Sequence, residues 1–160
     1  MRARTLALGS ILVAVGALVV LAFFMDRDDR SRNDALLLLD RYEGIDVDDP
    51  LEERRTRIEA LAAIPLGDGT ADRVRDACVE AHRLLIRAED TSATARGLFA
   101  QATRGGGEED DIPTAVRADI ESALSESNDA LTEARDRMPR CLSEMRTLEV
   151  RFRPHHLRAD

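Results

Sequence analysis

The sequence contains no lysine and no tryptophan, and only two cysteines. All 23 basic residues are arginine, which excludes Schiff-base chemistry, a lysine nucleophile and any phosphate loop built around its lysine. Five aromatics (Phe23, Phe24, Tyr42, Phe99 and Phe152) offer little from which to build a base-stacking platform, and a net charge of -8 repels a phosphate backbone. Nucleic acid is therefore not an expected partner. There is no CxxC, CxxCH, HExxH, GxGxxG or Walker pattern and no Ser/His/Asp order, so neither an enzyme nor a bound cofactor is expected. What is present, 160 residues with 44% hydrophobic and 34% charged side chains, lies in the range of foldable chains and points to one compact unit.

One segment carries no charge at all. Thr5 to Met25 is a run of 21 residues that would measure about 31 Å as a helix, the thickness of a bilayer's hydrocarbon core. After a short tail (1–4) holding Arg2 and Arg4, it reads as a single transmembrane helix acting as a signal anchor. A cleaved secretory signal is the competing reading, with Val20-Leu21-Ala22 as its cleavage site. The run continues through Phe23, Phe24 and Met25, which favours the anchor. Either implies export. Arg27, Arg30, Arg32 and Arg41 follow the span while Arg2 and Arg4 precede it, so a count of flanking cations barely orients it. The cysteines discussed below place the C-terminal body outside the cytoplasm. All-arginine usage suggests a GC-rich bacterial genome, and the expected location is the bacterial inner (cytoplasmic) membrane, single-pass, with the body on the periplasmic side. Ala7, Ser10, Ala14 and Ala17 share one face of the span, a pattern that allows close helix packing and a homo-oligomer.

Residues 26–33 form a polar linker or an extension of the membrane helix. Residues 34–153 form an all-α extracytoplasmic domain, with helices expected near 34–43, 50–64, 70–103 and 113–153 and a basic tail at 154–160. Gly44 stops the first in a left-handed end conformation. Asp49 as N-cap, Pro50 at the first position and Glu52 start the second, whose buried face is Leu51, Ile58, Leu61 and Ala62. Thr70 caps the third.

The last two helices carry the strongest pattern. Val74, Cys78, Ala81, Leu85, Ala88, Ser92, Ala95, Phe99 and Ala102 repeat with spacing 4,3,4,3. Ile120, Leu124, Ser127, Leu131, Ala134, Met138, Cys141, Met145, Leu148 and Phe152 do the same. Such repeats are coiled-coil seams, and the breaker Gly105 to Pro113 between them predicts an antiparallel hairpin. Facing positions then add to 219, pairing Phe99 with Ile120, Ala95 with Leu124, Ser92 with Ser127, Ala88 with Leu131 and Cys78 with Cys141. A disulfide across the helices follows from that register in an exported protein. Pro139 predicts a kink in the last helix, whose heptad phase survives it.

The remaining polar clusters carry weaker signals. Cys78, His82 and Cys141 lack a fourth ligand, so no metal is expected. Asp46, Asp48 and Asp49 resemble a calcium loop only superficially, since Pro50 and Arg57 stand where ligands belong. These acids and Glu108 to Asp111 read as solvated loops. Arg151, Arg153 and Arg158 lie in the one basic stretch, near the bilayer if the helices run out, back, out and back, and are candidates for contact with anionic lipid head groups. The expected function is non-catalytic: a membrane-anchored helical body acting in protein–protein interaction or envelope scaffolding, with an unspecified protein partner. A helical sensor-like or small-ligand-binding domain is the alternative.

Overall fold

The computed structural model describes residues 28–104 and 112–153. The span Thr5 to Met25, Arg158, and the acidic run Glu108 to Asp111 lie outside the described residues. Within them the chain is all-helical: α1 (28–43), α2 (Leu51–Ala62), α3 (Gly69–Ala102) and α4 (Thr114–Phe152), with no strand. None of these helices is long and apolar enough to cross a membrane.

The starts of α2, α3 and α4 differ from expectation by one residue, and that of α1 by more. Positions 28–33 are already helical, so α1 begins before Asp34. Its end falls at residue 43, and Gly44 follows without a positive φ. Pro50, with φ -52°, is the N-cap of α2 and makes no side-chain cap. The Asp49 carboxylate instead pairs with Arg57 at 2.8 Å. At α3 the cap is Asp68 rather than Thr70: its Oδ1 accepts from Thr70 N at 3.1 Å, satisfying one donor that the first helical turn leaves open. Helix α4 continues through Pro139, so that residue does not break it.

Ion pairs along the helices fix their directions. Arg54 with Glu89, Arg55 with Asp90 (2.6 Å) and Arg83 with Glu59 (2.7 Å) run α2 antiparallel to α3. Arg137 with Glu80 and Arg87 with Glu126 (2.7 Å) run α4 antiparallel to α3. Ser31 bonds Asp68 at 2.6 Å and Tyr42 lies 3.2 Å from His82, so α1 runs alongside α3 in the same sense. The Asp34 carboxylate holds α1 to the α2–α3 turn by accepting from Gly67 N (2.7 Å) and Asp68 N (2.8 Å).

The body is therefore thick at one end and thin at the other. The main core lies at the thick end, where Leu38, Ile58, Leu61, Val74, Met145 and Leu148 are buried together and Leu51, Leu66 and Phe152 pack against them. Beyond about residue 90 of α3 only the α3–α4 hairpin continues. Its seam corrects the expected one. In α3 the small residues Ala81, Ala88 and Ala95 are buried as expected, but Phe99 is 43% exposed. In α4 the buried positions are Ser127, Ala130 and Ala134, while Leu124 and Leu131, expected to face Ala95 and Ala88, are each 46% exposed. Ser127 Oγ donates to Ala88 O at 2.8 Å, so it does not face Ser92. Heptad counting favours the large side chains, but a gap lined by methyl groups is too narrow for leucine. The helix has turned its alanines inward, where close approach recovers dispersion contacts.

Candidate functional site

The four helices converge on one polar cluster at the top of the thick end. Cys78 on α3 and Cys141 on α4 form a disulfide with Cα atoms 4.8 Å apart, and both are fully buried. The predicted pairing is thus present. Both sulfurs are bonded to each other, which removes them as metal ligands, and no group of three metal-ligating side chains occurs among the described residues.

Tyr42 of α1 lies between this bridge and His82 of α3. Its hydroxyl is 3.2 Å from His82 Nε2 and 3.4 Å from Cys141 Sγ, so the phenolic proton has a strong and a weak acceptor. The two rings meet edge to face with centroids 5.6 Å apart. Burial, together with the nearby Arg54 charge, pushes the His82 pKa below the usual histidine value, and burial pushes the Tyr42 phenol up. Both groups are held neutral at neutral pH.

Arg54 completes the cluster. It is 6% exposed, donates from Nε to Asp49 O at 3.1 Å, and pairs with Glu89. The hydrogen bond to Glu89 outweighs the desolvation and holds the guanidinium firmly charged. Every polar group here is spent on another: arginine on glutamate, histidine on tyrosine, sulfur on sulfur. Thiol exchange needs a thiolate to approach a sulfur, and both sulfurs are sealed.

The two described arginines of the basic stretch sit differently from each other. Arg153 pairs with Glu43. Arg151 stacks its guanidinium 4.9 Å from the Phe152 ring and lines an open groove with Asp28, Ser31 and Asp68. Asp68 is held below the usual carboxylate range, first by the Ser31 hydroxyl, then by Thr70 N–H and the Arg151 charge. In the acidic loop, Asp46 Oδ1 accepts from Asp48 N at 3.0 Å, a local turn that uses the oxygen a cation would need.

Sequence reasoning missed Tyr42, Arg54 and Glu89. One signal was present: Leu51, Arg54, Ile58 and Leu61 follow 3,4,3 spacing, which puts Arg54 on the buried stripe of α2. No protein-family model, curated protein or solved structure matches this chain.

Proposed function

We propose that this chain is a membrane-anchored, non-catalytic helical protein whose body lies outside the cytoplasm and acts as an interaction or scaffolding surface. The observation that carries the reading is the Cys78–Cys141 disulfide, because such bonds persist in oxidising compartments. The uncharged run Thr5 to Met25 supplies the anchor. Asp28 and Ser31 of α1 lie at the thick end, beside the α2–α3 turn and the last turn of α4, so the anchor enters at that end and the hairpin projects away. Arg151 is a described cation of the basic stretch at that end that can meet anionic head groups, whereas Arg153 is committed to Glu43. The polar cluster supports a structural role, since its acid–base groups are partnered internally. The protein's work is then done on its surface.

Membrane fractionation tests this. The full chain is expected to stay in the pellet under alkaline carbonate, to be digested by protease added to spheroplasts, and to show thiols only after reduction. Release by carbonate, or two reactive thiols without reduction, would remove the reading.

A further inference from the structure

One flank of α4, beside the face that packs on α3, carries an ordered pattern. Leu124, Leu131 and Leu142 are 46%, 46% and 52% exposed. They are 7 and 11 residues apart, which at about 3.6 residues per turn sets all three on one line along the helix. One turn outside this line, and on the same side of it, lie Glu121 before Leu124 and Arg146 after Leu142. Both are exposed and neither is paired within the described residues. Of the other arginines of this stretch, Arg137 pairs with Glu80 and Glu133 and Arg140 with Glu144, while Arg135 is exposed on the leucine line itself.

We infer that this face binds a second copy of the chain, α4 against α4, in an antiparallel two-fold pair. The order acidic, Leu, Leu, Leu, basic along the helix is complementary to itself when reversed. Leu124 of one copy meets Leu142 of the other, Leu131 packs on the Arg135 stem, and Glu121 faces Arg146 on both sides of the axis. A parallel pair would instead oppose Glu121 to Glu121 and Arg146 to Arg146, which costs affinity. The groove beside Leu142, lined by Leu39, Tyr42, Met145 and Arg146 with a volume of 610 Å³, receives the incoming Leu124. Reversal also sets each thick end beside the partner's thin hairpin, where no α1 or α2 obstructs it. The pairing itself does not rest on the membrane reading.

The test uses surface charge reversal in the full chain in detergent, followed by analytical ultracentrifugation. Wild type is expected to dimerise. Glu121→Arg alone and Arg146→Glu alone each place like charges together at both ends of the pair, and each is expected to weaken dimerisation at least tenfold. An equimolar mixture of the two variants restores complementary pairs and is expected to recover the wild-type dimer as a heterodimer. These residues are exposed, so the variants fold, and circular dichroism verifies it. A photo-crosslinker at Leu124 is expected to label the peptide around Leu142 of the second copy. A wild-type monomer up to about 0.1 mM, weaker than a specific interface sustains, would overturn the inference. So would a mixture no tighter than either variant alone, or a crosslink from Leu124 to Leu124. If carbonate releases the chain from membranes but the mixture still dimerises, only the membrane reading has failed.

Discussion

Breaking the Cys78–Cys141 bridge has a calculable cost. The bridge joins residues 63 apart in sequence, and on the loop-closure model a crosslink of that span removes about 4 kcal/mol of entropy from the unfolded chain. For a body of this size, with an unfolding entropy of about 2.1 cal/mol/K per residue, that corresponds to a fall in Tm of about 15 °C. The variant Cys78→Ala/Cys141→Ala, melted by far-ultraviolet circular dichroism beside the oxidised protein, measures it. Because both sulfurs are fully buried, the alanines also leave small voids. Reduced wild type keeps the sulfur volume and isolates the crosslink. The effect acts on the unfolded chain, so the urea m-value is expected to rise when the bridge is opened, as the released chain exposes more surface. A fall in Tm below about 5 °C in the reduced protein, with m unchanged, would refute the reasoning and show that the reduced chain retains the hairpin's constraint by other means.

Two further outcomes are expected. His82 has a depressed pKa in the folded state, so below the unfolded value of about 6.5 the unfolded chain binds the extra proton first. Stability is therefore full above about pH 7 and falls as pH drops through 6.5, by at most about 1.4 kcal/mol per unit. Tyr42 and Arg54 face the imidazole, and neither changes charge in that window. His82→Gln, followed by urea titration from pH 7.5 to 5, is expected to flatten this part of the curve, and an unaltered slope would count against it. Ile58→Ala, at 1% exposure in the main core, is expected to cost about 2–4 kcal/mol, whereas Leu131→Ala on the exposed flank of α4 is expected to change monomer stability by less than about 1 kcal/mol. Equal losses at the two positions would mean that α4 is turned as heptad counting had it.

The hairpin and its bridge were legible in the sequence because two uninterrupted seams and a glycine-rich breaker leave few ways to pair. The two cysteines then tested the register internally. The orientation of the distal part of α4 was not legible. Counting by sevens ranks Leu124 and Leu131 as seam residues on hydrophobicity, but the facing positions Ala81, Ala88 and Ala95 set the gap, and only Ala130, Ala134 and Ser127 fit it. Matching a large side chain to a small one is not enough, because the narrowest residue decides how close the axes come. The cap of α3 shows the ordinary uncertainty of helix ends: Asp68 and Thr70 are both good caps, and the bond from Ser31 to the other Asp68 oxygen favours the aspartate. The polar cluster was legible only in part. Tyr42, Arg54 and His82 come from three helices, and nothing local announces that they meet. A buried arginine contradicts its own polarity until Glu89, 35 residues away, is placed beside it.

The bridge also decides how the molecule carries load. When tension is applied between its two ends, force enters through α1, α2 and the start of α3, crosses at Cys78–Cys141, and leaves through the last turns of α4. The 62 residues between the cysteines lie on a side branch of that path and feel no pull. The projecting hairpin keeps its shape while the base is stretched, as a pennant stays slack beside a taut halyard.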